Sequence, residues 1–277
     1  MPIRLIAIDI DGTLLDSQGR LPDRNREAIA AARDRGIAVA LVTGRSFHFA
    51  RPVAAQLADG LALIVNNGAL IKSGAGETLA RRLLRRDVAR ALLAVTLDFR
   101  DGTALIFDRP DGRPVVYDRM DWTQANRRGY YEKNRAFLAR VDDLGDALTE
   151  DPIQVMFNGG IARMRTLAER LAEPAGAREY AVALTEYPHR DFSLVDVVDR
   201  ECSKGTALAA WASRLGVPAA EVMAVGDNLN DREMLAFAGV PVVMGNASPA
   251  LKASGWHVAP SNDEAGLASA ILAFALA

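Results

Sequence analysis

A single cysteine, Cys202, stands among 277 residues, which excludes an intrachain disulfide and any cysteine-rich zinc site. Histidine is nearly as scarce: His48, His189 and His257 have no metal-type spacing and read as structural or exposed. No charge sign predominates. With 33 Lys+Arg against 35 Asp+Glu, the formal net charge is −2, which gives no general drive towards nucleic acid or an anionic membrane. The most apolar stretch, Ala265 to Ala277, falls short of the roughly 20 residues a membrane span needs and reads as a C-terminal helix packed on the fold. The opening apolar run, Ile3 to Ile8, is too short and too quickly followed by Asp9 for a signal peptide. A cytoplasmic protein is expected. Lysine is scarce as well, with only Lys72, Lys133, Lys204 and Lys252, so each position is worth inspecting.

What is present is an ordinary globular balance, 50% hydrophobic and 25% charged, over a length that suggests about two domains. Apolar runs at Ile3–Ile8, Ile37–Val42 and Leu61–Val65 alternate with helical segments from Pro22 to about Arg35 and from about Ser46 to Ala58. The rhythm returns near the C-terminus: helix Ser203–Leu215, strand Val222–Val225, helix Asp231–Ala238, strand Val240–Met244 and a final helix from about Glu264. Strands apolar throughout and separated by amphipathic helices indicate an α/β fold, a parallel sheet covered on both faces. Between the two halves, Thr103–Asp108 and Pro114–Asp118 read as a hairpin around Arg109–Arg113. Further strands at Ile153–Phe157, Tyr180–Glu186 and Phe192–Val198, with a helix across Ile161–Glu173, complete an α+β insert. The expected division is a core of 1–83 and 189–277 and an insert of 84–188. The run Arg81–Arg86 reads as a solvated face, and Trp122, Trp211 and Trp256 as packing residues.

Four motifs sit at strand ends. Asp9-Ile10-Asp11-Gly12-Thr13-Leu14 follows the first strand, where ligands of open α/β sheets collect. Two carboxylates two residues apart divide labour between nucleophile or metal ligand and proton shuttle. They also favour a hard, oxygen-seeking cation such as Mg²⁺. Val42-Thr43-Gly44-Arg45-Ser46 places a hydroxyl and backbone amides at a helix start, a cradle for a phosphate oxygen, although Thr43 alone reads as a helix cap. Asn66 and Asn67 at the next strand end carry the same two readings. Ser203-Lys204-Gly205 opens a helix with a lysine able to neutralise a phosphoryl oxygen. Gly226-Asp227-Asn228-Leu229-Asn230-Asp231 brings Asp227 off a strand end in position to complete a metal site with Asp9, and Asp231 in position to orient Lys204 or a metal-bound water. Each segment could cap a helix by itself; four at the strand ends of one sheet argue against four independent caps.

In this order and with this insert, the motifs resemble the haloacid dehalogenase superfamily of aspartyl-phosphate phosphatases, and the size of the insert points to the Cof-type branch, subclass IIB. The resemblance spans about residues 3–266, including Asn66-Asn67-Gly68-Ala69 and Met244-Gly245-Asn246-Ala247. Near the end, Ser261 to Ala268 keeps the outline of the branch but has Ala265 where an acid is usual. The resemblance implies a Rossmann-like doubly wound parallel sheet core with an α+β cap domain that sets substrate specificity. It further implies Asp9 as nucleophile and Asp11 as acid and base. Mg²⁺ would be held by Asp9, the Asp11 carbonyl and Asp227, and the phosphoryl group by Thr43, Gly44, Lys204 and Asn230. Gly12 and Asp231 would support. The cap would close over the site, with Arg119, Asp121, Tyr130, Tyr131 and His189 as candidate contacts to the leaving group. The expected partner is a small phosphorylated metabolite, sugar phosphates first, with pyridoxal phosphate, flavin mononucleotide and thiamine-precursor phosphates open. Neither nucleic acid nor membrane is expected, and the chain reads as a monomer or weak homo-oligomer. Two alternatives stand beside hydrolysis: a phosphomutase or phosphotransferase using the same intermediate, and a non-catalytic phosphate- or metabolite-binding regulator.

Overall fold

The computed structural model describes residues 2–57, 59–109, 112–172 and 179–277. The chain begins with β1 (Leu5–Ile8), α1 (Asp23–Asp34), β2 (Ala38–Val42), α2 (Phe47–Ala54), β3 (Ala62–Val65), β4 (Leu70–Ser73) and β5 (Thr78–Arg81). An insert follows: α3 (Arg86–Val95), β6 (Thr103–Ile106), β7 (Val115–Tyr117), α4 (Ala125–Asn134), β8 (Leu138–Arg140), β9 (Gln154–Gly159), α5 (Ile161–Ala172), β10 (Tyr180–Tyr187) and β11 (Phe192–Asp199). The chain ends with α6 (Lys204–Arg214), β12 (Val222–Gly226), α7 (Arg232–Phe237), β13 (Val240–Val243), α8 (Pro249–Lys252), β14 (His257–Val258) and α9 (Gly266–Phe274). Contacts divide it into one unit of residues 1–81 and 202–277 and another of 82–201.

The first unit carries an eight-stranded sheet in the order β14-β13-β12-β1-β2-β3-β4-β5. β1 is buried along its length because it runs parallel between β2 and β12, Leu5 level with Ala38 and Val222, Ile8 level with Leu41 and Val225. A strand covered on both faces selects residues that are apolar on both, hence the unbroken Leu5-Ile6-Ala7-Ile8. The chain leaves β1 towards β2 on one side and reaches β12 on the other, so the C-terminal end of β1 is the topological switch point. The α/β class and the parallel core are as expected. The antiparallel edge β4–β5 is not: Asn66, Asn67 and Gly68 take φ of +51°, +53° and +100° and turn the chain straight back along β3. Asparagine tolerates that left-handed region through local hydrogen bonding of its short side chain.

α6 starts where a capping box requires it to. Ser203 Oγ accepts from the Thr206 amide at 3.0 Å while Thr206 Oγ1 accepts from the Ser203 amide at 2.9 Å. Lys204 is therefore the first helical residue. At Gly205 a Cβ would stand 2.7 Å from the Glu233 backbone, so α6 and α7 pack at a separation that only glycine permits. α9 buries Leu267, Ala268, Ala270 and Ile271, matching the C-terminal helix expected, and Asn25 of α1 ties it down by accepting from the Ala268 amide at 3.0 Å.

The second unit carries a six-stranded sheet, β10-β11-β9-β6-β7-β8, antiparallel except for β7 against β8. The hairpin of β6 and β7 forms as expected; residues 110 and 111 of its turn lie outside the described residues, as do Ala58 and Glu173 at the ends of two expected helices. The second boundary differs from the expected one, at Glu201/Cys202 rather than 188/189. The reason is pairing: β11 is hydrogen-bonded on one side to all of β10 and on the other to β9, so residues up to Asp199 stay with the insert. Among the described residues, no helix is long and apolar enough to cross a membrane.

Candidate active site

The strand order explains how distant motifs meet. Asp9 directly follows β1 and Asp227 directly follows β12, its neighbour, and the ladder continues one step as the Asp9 amide donates to Val225 O at 3.0 Å. After Asp9 the backbone makes one wide turn, with Leu14 N bonded to Asp9 O and Leu15 N to Ile10 O. Gly12 has φ +79°, and a Cβ there would lie 2.3 Å from Asp227 Oδ2. The two acidic motifs come this close only because position 12 has no side chain.

Asp9 and Lys204 are buried, 4% and 1% exposed. Lys204 Nζ donates to Asp9 Oδ1 at 2.7 Å and to Asp231 Oδ1 at 2.6 Å. The other oxygen of Asp231 accepts from the Asp227 and Asn228 amides at 3.0 and 2.9 Å. Asp231 thus bonds Lys204 through one oxygen and two backbone amides through the other. Thr13 Oγ1 and Asn246 Nδ2 each donate to Asp227 at 3.3 Å, and Asn246 also donates to Gly12 O at 2.8 Å.

The charges do not balance locally. Burial pushes the Asp9 carboxyl up to about 7; Lys204 opposes this, while Asp231 and Asp11 add to it. Burial, then the neighbouring Asp9 and Asp231, holds Asp227 well above the usual carboxylate range. Burial alone would lower the Lys204 pKa, but Asp231 and Asp9 overcome it and keep the ammonium protonated. One lysine therefore serves three carboxylates, and by itself it does not hold Asp9 at an ordinary carboxylate value. Ligand oxygens of Asp9, Asp227 and Asp231 lie within 4.8 Å of one another. An all-oxygen donor set with surplus negative charge fits a hard divalent cation.

Thr43, 1% exposed, follows β2, and its Oγ1 accepts from the Arg45 amide at 3.0 Å. Thr43 does not cap α2, whose N-cap is Ser46; its bond closes a turn before the helix, and the hydroxyl proton is left to donate. Asn67 joins two motifs: its Oδ1 accepts from Asn230 Nδ2 at 2.9 Å and lies where a Cβ on Gly44 would come within 3.2 Å. Asn230 Oδ1 and Ser46 Oγ are buried without a hydrogen-bond partner among the described residues.

Asp11 is not part of the carboxylate cluster. Arg45 grips it through both oxygens, Nε to Oδ2 at 2.7 Å and Nη2 to Oδ1 at 2.6 Å. Arg45 and Asn246 carry no role that the sequence alone suggests. Their places in the motifs that follow β2 and β13 are the signal the sequence offers for them. Both partners of this pair are about a third exposed, where an ion pair contributes under about 1 kcal/mol. Arg45→Ala is therefore expected to leave the urea midpoint nearly unchanged while lowering kcat about tenfold or more, because the Asp11 carboxylate loses its orientation. Arg45→Lys is expected to recover little of this, since an ammonium cannot form the fork. Equal losses in stability and kcat would contradict a positioning role.

Of the candidate cap contacts, Arg119, Asp121 and Tyr131 line a cavity within the insert. Tyr130 stacks on Trp122 at 6.4 Å between ring centroids. The side chain of His189 lies outside the described residues. His48 meets Phe47 edge-on, His257 packs on Phe274, and Trp211 and Trp256 pack against the core.

Residues 6–271 match the family model of haloacid dehalogenase-like hydrolases. The chain is 30% identical to HMP-PP phosphatase of Cronobacter sakazakii over 92% of its own length and 89% of that protein's. It is likewise 30% identical to phosphatase YwpJ of Bacillus subtilis, over 96% and 98%. Its fold superposes on a haloacid dehalogenase-like hydrolase from B. subtilis with a TM-score of 0.82 at 24% identity, covering 97% and 99% of the two chains. Motif order, strand-end geometry and full-length similarity thus agree, and the chain belongs to the haloacid dehalogenase-like hydrolase family, among its Cof-type phosphatases.

Proposed function

We propose that this protein hydrolyses phosphate monoesters of small metabolites through an aspartyl-phosphate on Asp9. The observation that carries the reading is the buried Asp9 carboxylate, bonded on one oxygen to Lys204 Nζ at 2.7 Å and followed two residues later by Asp11. In the first half-reaction a carboxylate oxygen of Asp9 attacks phosphorus in line, the bond to the leaving oxygen breaks, and Asp11 gives that oxygen a proton. In the second, Asp11 takes a proton from water as the water oxygen attacks phosphorus, and inorganic phosphate and free Asp9 result. Thr43 and Lys204 bind phosphoryl oxygens, with the Gly12 and Gly44 amides and Asn230 adding contacts, while Asp231 holds Lys204 in place.

Asp9, Asp227 and the Asp11 carbonyl would hold Mg²⁺. Bound there, the ion offsets the negative charge that otherwise opposes attack of one anion on another. Sugar phosphates stand first among substrates, and the likeness to HMP-PP phosphatase adds HMP-PP to the compounds to assay. The insert is the part we assign to substrate selection, and a cytoplasmic setting goes with such substrates.

The test is phosphate release from p-nitrophenyl phosphate, sugar phosphates and HMP-PP, with Mg²⁺ or EDTA. Release that requires Mg²⁺ and disappears in Asp9→Asn is expected. No release from any compound, or release unaltered by the substitution, would sink the reading. Conserved total ester phosphate during turnover would indicate transfer to a second substrate instead. The pH dependence of metal binding follows from Asp9. Its raised folded-state pKa stabilises the metal-free fold at low pH, and that contribution is lost as pH rises through about 7. Mg²⁺ must displace the proton, so its affinity is expected to fall by about tenfold per unit below pH 7. Thermal shifts on adding Mg²⁺ should accordingly be larger at pH 8 than at pH 6.

A further inference from the structure

Arginines in the insert are mostly paired. Arg100 meets Asp118 at 2.8 Å, Arg109 meets Glu150 at 2.6 Å, Arg163 meets Asp101 at 2.7 Å, Arg165 meets Glu186 at 2.7 Å and Arg170 meets Asp98 at 2.9 Å. Four of those that depart from this gather in one place. Arg113, Arg119, Arg135 and Arg140 have neither an ion-pair nor a side-chain hydrogen-bond partner among the described residues, and all four line one cavity of about 1030 Å³. Two carboxylates share the lining. Asp118 is already bonded to the Arg100 guanidinium at 2.8 Å, and Asp121 to the Thr123 hydroxyl at 2.6 Å. Asp121 is further offset by the Arg127 guanidinium outside the lining, so both carboxylates are engaged elsewhere while the four cavity guanidiniums are not. Trp122 is in the same lining, and its Nε1 is a buried N–H donor with no acceptor among the described residues.

Like charges gathered on one concavity repel one another and focus a positive potential into it. The complementary group is anionic and offers several oxygen acceptors in the spacing of a guanidinium fork, which phosphate does. A single phosphate would occupy little of such a volume, which matches that of pockets for small organic molecules. We infer that this cavity is a binding site for a phosphorylated small organic molecule bearing at least two anionic groups. It is built from the insert alone, shares no residue with the carboxylate site and does not depend on the chemistry of Asp9. The ligand is either the enzyme's own substrate or a separate phosphorylated effector; both present the same anionic chemistry.

Calorimetry with inorganic pyrophosphate in EDTA, on the whole protein, tests the site without turnover. Saturable binding is expected that weakens with added salt and drops by about tenfold or more in Arg135→Ser/Arg140→Ser. Both side chains are exposed, so the variant should melt with the wild type. Trp122→Phe should abolish any pyrophosphate-induced change in tryptophan emission while binding persists. With excess Mg²⁺, the double variant should turn over p-nitrophenyl phosphate as the wild type does. A KM that rises in the variant only for a bisphosphorylated sugar supports the inference and identifies the ligand as substrate. A pyrophosphate effect on kcat for p-nitrophenyl phosphate that the variant loses supports it and identifies an effector. Pyrophosphate that fails to bind the wild type, or binds the double variant equally well, overturns it.

Discussion

Replacing Asp9 by Asn is expected to lower kcat by about 10⁴-fold or more, the scale on which loss of an attacking group is felt, and to raise the melting temperature of the metal-free protein at pH 8. The two effects have one cause. Asp9 is placed by β1 at the buried switch point, where its ionised form is needed for attack but is poorly solvated, and its pKa is pushed up to about 7. Ionised Asp9 therefore costs folding free energy at pH 8, on the order of a few kcal/mol by the usual conversion of pKa shifts. Asn has nearly the same shape, can still accept from Lys204 and carries no charge. The stabilisation should shrink towards pH 5, where Asp9 in the folded protein already holds its proton. A variant that keeps its kcat, or whose gain in melting temperature is the same at pH 5 and pH 8, contradicts this account.

Lys204→Met is expected to be the most damaging single change to the fold of the first unit, destabilising it by about 3–5 kcal/mol, the cost of stranding buried charge. Lys204 is 1% exposed and bridges Asp9 and Asp231. Without it the two carboxylates, with Asp227 beside them, face one another across a buried site. Urea unfolding in EDTA should show the deficit at pH 8 and a smaller one at pH 6, because Asp9 relieves the repulsion by taking up a proton. Lys204→Arg should not restore activity, since a guanidinium does not fit a space filled by an ammonium with two contacts of 2.6–2.7 Å. A pH-independent loss would instead assign Lys204 a packing role.

Much of the first unit could be read along the chain. Strand ends at Ile8, Val42, Val65 and Gly226 follow from unbroken apolar runs that stop at polar turn residues, and the start of α6 follows from Ser203 and Thr206. These are short-range effects of steric preference and local capping, so local sequence carries them. The hairpin of β4 and β5 escaped notice because its strands are short and its direction depends on three successive left-handed residues, of which only Gly68 advertises the conformation. The boundary after Glu201 escaped for a different reason: a strand's allegiance is decided by its hydrogen-bonded neighbours.

Which residue types gather at the strand ends was determined by the sequence itself, and with them the choice of an acidic, oxygen-rich site opposed by one lysine. Who touches whom was decided only by the tertiary structure. Lys204 lies 195 residues from Asp9, Asn230 lies 163 from Asn67 and Arg45 lies 34 from Asp11, and each pairing exists because strand order and two glycine-tight approaches bring the ends together. The four unpaired arginines that line the insert's cavity belong with these. In the chain they are unremarkable among many, and only the packed unit reveals which guanidiniums found carboxylates and which were left facing a cavity. Local preference acts over a few residues, whereas charge compensation is settled in space, after the sheet has fixed every distance.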